Sequence, residues 1–204
     1  MKILKSIVLL GGLVWSVWRM YLITVQYVPI DTDVAFLRIK QDYIDIPYYP
    51  IAFFVHVFSS IFVLLAGFTQ FSKKILKRMP KLHRYAGRLY VYITLLLAAP
   101  SGLIIGIHAN GGLLSRTAFC TLAVLWWSST WLALLAARRK KFIAHRRYML
   151  WSYGLALSAI TLRLWKLVLA KTLQPRPMDL YRVVAWLGWV PNLIFAEILA
   201  KKRR

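Results

Sequence analysis

Four histidines and several arginines are the residues with the most distinctive chemistry in this chain of 204 residues. His83 opens the segment HRYAGRLY and His145 opens the segment HRRYM, and each segment closely follows a run of lysines and arginines. His56 and His108 lie in other apolar segments. An imidazole ligates metal ions or carries a proton, and a guanidinium binds carboxylates and phosphates. Together these residue types predict a site for an anionic or metal-containing group.

The composition is that of a membrane protein rather than a soluble domain. Hydrophobic residues make up 60% of the chain, and 28 basic side chains stand against six acidic ones, for a net charge of +22. The mean hydropathy is +0.59. Such a charge in a soluble protein would suggest nucleic acid. Here the basic residues gather at the ends of apolar runs, so we expect no nucleic acid partner but membrane lipids with anionic headgroups.

Neither the cysteine content nor the N-terminal segment indicates processing or cross-linking. Cys120 is the only cysteine, so an intramolecular disulfide and a thiolate metal cluster are both excluded. The first 30 residues have a basic start and an apolar body, but the apolar run is long and lacks an A-x-A-like cleavage site. We therefore predict that this segment is retained as a membrane anchor.

Apolar runs of membrane length recur along the chain and predict an all-α, polytopic membrane protein. We expect a single domain over residues 1–204 with six transmembrane helices. The predicted helices cover about residues 4–28, 51–72, 83–109, 113–137, 146–170 and 180–200. Pro100 and Gly102 should kink the third helix.

The distribution of lysine and arginine predicts the orientation of these helices. Short basic segments follow the second helix, around residues 73–81, and the fourth helix, around residues 138–141. Four of the six acids lie instead between Asp31 and Pro50. Because short cytoplasmic loops carry an excess of lysine and arginine, we place the basic segments and both termini in the cytoplasm.

Residues at helical spacing from three of the histidines form polar or small-residue stripes. The stripe from His56 contains Ser60, Val63, Gly67 and Gln70, the stripe from His83 contains Gly87, Tyr90 and Thr94, and the stripe from His145 contains Met149, Ser152, Ala156 and Ala159. In lipid, small and polar residues mark the faces that pack on other helices. We therefore expect the three stripes to face one shared interior.

The cations and histidines divide by predicted depth into two groups. The cytoplasmic group contains His83, Arg84, Arg88, His145, Arg146 and Arg147, and the outer group contains Arg19, His56, His108, Arg163 and Lys166. Glu197 is the only acid within a helix that lies near the first group. Charged residues at membrane depth indicate a functional interior. We therefore expect a bound anion, and the candidates are haem propionates, lipid phosphates and a quinone that becomes negative when reduced.

A b-type haem between helices needs two imidazoles at equal depth, with arginines near the propionates. His83 and His145 each begin an outward-going helix, so we predict that they are the metal ligands of such a haem. The other cofactor-binding candidates are Arg84, Arg88, Arg146, Tyr90 and Gln70 near the cytoplasm, and His56, His108 and Arg163 at a second cofactor or quinol site in the outer half.

An alternative without haem stays open at this stage. His83 and His145 would then be interfacial histidines that bind lipid headgroups or helix ends, and His108 would be a histidine at a loop edge. The matching function is that of a non-enzymatic transporter or accessory subunit that binds an anionic lipid or a small anion. A membrane hydrolase is a weaker third option, because metal-dependent hydrolases need carboxylates that the helices do not supply.

The chain resembles the family of bacterial membrane proteins catalogued as domain of unknown function 2306. The matching segments are Phe36-Leu37 with Lys40, His56 with Gly67 and Gln70, HR-x-x-GR-x-Y from His83 to Tyr90, Ser101-Gly102, HRR-x-M from His145 to Met149, and Leu162-Arg163-Leu164. The resemblance covers roughly residues 35 to 195. It implies a multi-pass protein of the bacterial cytoplasmic (inner) membrane and brings no established activity.

At the level of architecture, the chain also resembles the six-helix membrane proteins of the cytochrome b561 and ferric reductase type. Those proteins carry paired histidines on central helices. The likeness implies electron transfer through haem, although the predicted fourth helix of this chain has no histidine and the third has two. Whether the protein is an enzyme is left undecided by the sequence.

Overall fold

The computed structural model describes residues 2–202, and all regular structure in this part of the chain is helical. The α-helices are α1 (Lys2–Val25), α2 (Gln41–Ile44), α3 (Tyr48–Gln70), α4 (Lys73–Arg78), α5 (Pro80–Ile93), α6 (Ala99–Ile107), α7 (Leu113–Arg138), α8 (Phe142–Ala156), α9 (Ser158–Thr172), α10 (Pro177–Leu187) and α11 (Val190–Lys201). A 3-10 helix covers Leu37–Lys40, and a π-helical segment, Thr94–Ala98, joins α5 to α6. The predicted all-α class is confirmed.

The chain divides into two compact units, Met1–Ile51 and Ala52–Arg204. In the first unit, Lys40 is almost completely buried, and its ammonium lies 4.7 Å from the ring centre of Tyr43 and 5.9 Å from that of Phe36. Aromatic faces attract a buried ammonium electrostatically, which explains the position of Lys40 beside them. The second unit contains all four histidines and the three predicted stripes of small and polar residues. That all six helices form one domain stays a prediction.

Four helices of the described part are long and apolar enough to cross a membrane, namely Tyr48–Gln70, Pro80–Ile107, Leu113–Arg138 and Pro177–Lys201. The pair α8 and α9 would be a fifth span, with a bend of 43° between the two helices. The multi-helix membrane architecture is therefore confirmed, whereas the count of six spans and the orientation stay predictions. The predicted 83–109 helix begins earlier, because Pro80 occupies the first turn, where its missing N–H costs no hydrogen bond.

The predicted kink of the third helix takes the form of the π-helical segment, directly before Pro100. The Ala99 N–H there bonds to the Thr94 carbonyl, five residues earlier. A π-helical turn displaces carbonyls from the regular ladder, and neighbouring helices bond two of them. Trp127 of α7 donates to the Leu95 carbonyl at 3.1 Å, and His56 of α3 donates to the Ala98 carbonyl at 2.8 Å.

The predicted helices 146–170 and 180–200 are each interrupted, which the sequence analysis did not predict. Asn192 connects the two interruptions, because its amide lies 3.1 Å from the Gly154 carbonyl, 3.2 Å from the Gly188 carbonyl and 2.9 Å from the Thr161 hydroxyl. Thr161 also donates to the Gly188 carbonyl. Without water, carbonyls freed at such breaks need partners within the protein.

The core of the second unit is built around Tyr153. Its ring packs edge-on against Tyr90 and contacts Phe68 of α3 and Phe71 just after the end of that helix. The opposing position on α3 is Gly67, where an added Cβ would lie 2.1 Å from the ring of Tyr153. Gly67 therefore allows a close approach of the aromatic ring that any larger residue would prevent.

Replacement of Gly67 by alanine should destabilise the protein, because the methyl group would overlap a buried ring. Overpacking of this kind costs about 1–3 kcal/mol, and each kcal/mol lowers the melting temperature by roughly 2–4 °C in a chain of this size. Thermal unfolding in detergent is the measurement. Gly12→Ala is the matched control, since nothing lies within 4 Å of a Cβ there. Equal melting temperatures for the two variants would contradict the packing described.

Candidate functional site

The first turns of α5 carry His83, and the end of α3 fixes their position. The Gln70 amide donates to the backbone carbonyl of His83 at 3.3 Å and to the Thr69 hydroxyl at 3.0 Å. An added Cβ at Gly87 would lie 2.8 Å from the Gln70 amide oxygen, so glycine leaves room for this amide. The predicted site residue Gln70 thus positions His83 through its backbone. The Nδ1 atom of His83 is buried and has no hydrogen-bond partner among the described residues.

His145 lies near the start of α8, and a neighbouring helix orients its ring. Its Nδ1 lies 2.9 Å from the backbone carbonyl of Ala133 on α7. A carbonyl only accepts, so Nδ1 carries the proton and Nε2 holds the lone pair of the neutral ring. Metal-ligating histidines generally show this arrangement, in which the second ring nitrogen donates to a carbonyl or carboxylate.

His83 and His145 lie on different helices of the second unit, α5 and α8, and are near enough for an electrostatic interaction. Arg84 and Arg88 are exposed beside His83, and Arg146 is half-buried beside His145. This end of the second unit therefore combines two imidazoles with three guanidiniums.

The two carboxylates in the second unit are engaged elsewhere. Asp179 bonds Arg176 and Arg182. Glu197 accepts from Arg147 through both oxygens, at 2.6 and 3.0 Å, and from the indole of Trp151 at 2.9 Å. Within the described residues, Arg84, Arg88 and Arg146 form no salt bridge. Glu197 is the one acid that the sequence predicts near the cytoplasmic group. In the structure it forms a salt bridge with Arg147.

The outer group is brought together in part. The imidazole of His56 packs against Gly102, where an added Cβ would lie 2.9 Å from its Cε1 atom. Arg163 lies within electrostatic range of His56, as the predicted outer cluster requires. His108 caps the end of α6 and is half-buried. Arg19 belongs to the first unit and is exposed. A second cofactor site at His56, His108 and Arg163 stays a prediction.

A buried chain of hydroxyl groups lies deeper in the second unit than the histidine pair. Tyr90, two turns after His83, lies with its hydroxyl 2.7 Å from that of Ser152, two turns after His145. The Ser152 hydroxyl is in turn 2.6 Å from that of Thr130. This contact confirms that the stripes from His83 and His145 face one interior. Tyr90 has no exposed surface, so its hydroxyl is enclosed within the second unit.

The sequence analysis missed two partners of this chain, both on α7. Thr130 contacts Ser152 as described, and the indole of Trp126 donates to the Tyr90 hydroxyl at 3.4 Å. Thr130 also donates to the backbone carbonyl of Trp126 at 2.7 Å. Their spacing of four residues on an apolar helix is a signal that helical periodicity could have provided.

These features together define a class of protein. Long apolar helices, side chains that bond backbone carbonyls of neighbouring helices, and cations gathered near helix ends are typical of a polytopic integral membrane protein. The chain belongs to the family of predicted membrane proteins with domain of unknown function 2306 (DUF2306), whose sequence profile matches residues 53–200. The resemblance based on the HRYAGRLY segment is thereby confirmed. No curated protein and no solved structure matches the chain.

Replacement of Tyr90 by phenylalanine should destabilise the protein, because it removes a buried hydroxyl that Ser152 and Trp126 bond. Hydrogen bonds between membrane helices contribute about 1 kcal/mol, and an unpaired partner adds to the loss. Unfolding in mixed micelles with increasing SDS measures this difference. Tyr92→Phe is the matched control on the same helix, since Tyr92 is half-exposed. A loss of the same size in both variants would contradict a role for the buried chain.

Proposed function

We propose that this protein binds one b-type haem through His83 and His145 and transfers single electrons within the membrane. The observation that carries the proposal is the histidine pair on α5 and α8, within electrostatic range and beside arginines that have no carboxylate partner among the described residues. A haem iron supplies one-electron redox chemistry when bound. The electron donor in this proposal is a membrane quinol or another reductant.

The residues at the site have chemistry that suits such a group. His145 holds its Nδ1 proton on the Ala133 carbonyl, which leaves Nε2 for a metal. His83 has a buried Nδ1 without a described partner, and Gln70 fixes its backbone. Arg84, Arg88 and Arg146 would bind the propionates. A bare divalent cation would add positive charge to an already cationic site, whereas an anionic porphyrin uses both the imidazoles and the guanidiniums.

The buried residues around Tyr90 limit where such a group can lie. Tyr90, Ser152 and Thr130 have no exposed surface and are hydrogen bonded to one another. Because this buried cluster leaves no opening at Tyr90, the exposed Arg84 and Arg88 on the side towards the helix ends are the residues that would hold the group. In the proposed orientation this side is the cytoplasmic one, in a bacterial inner membrane.

A second candidate function is that of a membrane carrier or accessory subunit for an anionic lipid or small anion. The observation that favours it is the pair of interrupted helices, α8–α9 and α10–α11, which Asn192 and Thr161 connect. Many transporters place their substrate site where two discontinuous helices meet near the bilayer midplane. Under this function the arginines would bind the anion and the histidines would not ligate a metal.

The haem proposal predicts a Soret band in the protein purified from cells supplied with a haem precursor. His83→Ala and His145→Ala should each lose most of the band, because one axial ligand is removed, and added imidazole should restore part of it. Tyr85→Ala is the control, since Tyr85 lies two residues after His83 and its side chain is exposed. Absorption spectra of the oxidised and dithionite-reduced protein are the measurement. A wild-type protein without a Soret band would end the proposal.

We also propose six spans, formed by α1, α3, α5–α6, α7, α8–α9 and α10–α11, with both termini in the cytoplasm. In a Cys120→Ser background, Leu173→Cys should react with an impermeant maleimide in spheroplasts, whereas Lys141→Cys should react only after lysis. The basic segment around Lys141 is expected to stay in the cytoplasm. The reverse labelling pattern would indicate the opposite orientation. Labelling of both cysteines from the outside would contradict a membrane span between the two positions.

A further inference from the structure

A lateral groove of about 470 Å³ lies between α7, α8 and α11, on a face separate from the histidine site. Its wall includes Ser129 of α7, Trp151 and Leu155 of α8, and Ile194, Glu197 and Lys201 of α11. The volume falls within the range of sites that bind small organic ligands. Almost all of its surface is apolar, so water has few partners in it.

The charged groups of the groove lie at one end, whereas the Ser129 hydroxyl bonds a carbonyl of its own helix. Glu197 and Lys201 lie in the last turns of α11, and the ammonium of Lys201 is 3.6 Å from the Glu197 carboxylate. Arg147 bonds both oxygens of the same carboxylate and stacks on the ring of Trp151. Two cations therefore share one carboxylate, which leaves a positive charge in excess at this end. An occupant that fits has an apolar tail and an anionic head.

The length of the groove matches one leaflet of a bilayer. Along α11 it runs from Leu193 to Lys201, about 12 Å at the rise of an α-helix. One leaflet contributes about 15 Å of the hydrocarbon core. A transmembrane helix of a partner would instead need a face that continues along the whole span. We propose that the groove is a binding site for an anionic phospholipid, with one acyl chain along α11 and the phosphate at Lys201 and Arg147.

This proposal is independent of the haem proposal, because the two sites lie on different faces of α8. Met149 and Ser152 follow His145 towards the buried interior, whereas Trp151 and Leu155 line the groove and Arg147 bonds the Glu197 carboxylate at its end. The spacing of four residues keeps the second set on one stripe of the helix. A lipid at the groove therefore makes no contact with the proposed haem ligands.

The test compares lipids with identical acyl chains on the delipidated protein, in native mass spectrometry and by photo-crosslinking. Phosphatidylglycerol should bind more tightly than phosphatidylcholine, and a diazirine on its acyl chain should label α11 between Leu193 and Lys201. Lys201→Gln should weaken phosphatidylglycerol binding about fivefold, as expected for one cation at a membrane surface. Lys171→Gln, at the end of α9, is the charge control and should have no effect.

A second pair of variants tests the groove itself. Ile194→Trp should fill the groove and abolish both binding and labelling, because Ile194 lines it and is largely exposed. Phe195→Trp, at the next position outside the groove, should leave both unchanged. Equal binding of the two lipids, or labelling outside the groove, would overturn the proposal. So would an oligomer that Ile194→Trp dissociates, because the groove would then be a protein interface.

Discussion

The second unit depends on side chains that donate hydrogen bonds to backbone carbonyls of neighbouring helices. Gln70 bonds the His83 carbonyl, His145 bonds the Ala133 carbonyl, and Trp127 bonds the Leu95 carbonyl. Hydrocarbon offers no alternative partner, and there is little hydrophobic driving force between helices in lipid. These bonds therefore fix the relative positions of the helices that carry the candidate site.

Two histidines make this kind of hydrogen bond to a carbonyl, but their surroundings differ. Both His56 and His145 donate Nδ1 to a carbonyl, so this bond alone does not identify a metal ligand. His56 bonds a carbonyl of the π-helical segment and packs on Gly102, which gives it a structural role by itself. His145 differs because a second imidazole lies at the same end of the unit, with arginines that form no salt bridge in the described part of the chain. The candidate site is defined by that combination.

Helical periodicity predicted which faces meet but not how the helices are interrupted. The stripes from His83 and His145 meet through Tyr90 and Ser152 as expected. The break between α8 and α9, at Leu157, has no proline or glycine at it. Asn192 of α11, far along the chain, bridges it by bonding the Gly154 carbonyl before the break and the Thr161 hydroxyl after it. Likewise, sequence spacing placed Glu197 among several cations, and only the packing of α11 on α8 decides that Arg147 is its partner.

Helix α8 contributes to both proposed sites, because one of its stripes lies at the histidine site and the opposite stripe lies at the groove. One stripe carries His145 and Ser152 to the buried interior, and the other carries Trp151 to the groove and Arg147 to the Glu197 carboxylate at its end. Glu197 pairs with both Arg147 and Lys201, so positive charge is still in excess at the groove. Arg146 gains no counter-charge from the same carboxylate, because Arg147 engages both of its oxygens. The two proposed sites therefore call for an anionic group for the same physical reason, since the described part of this helix end carries more cations than carboxylates.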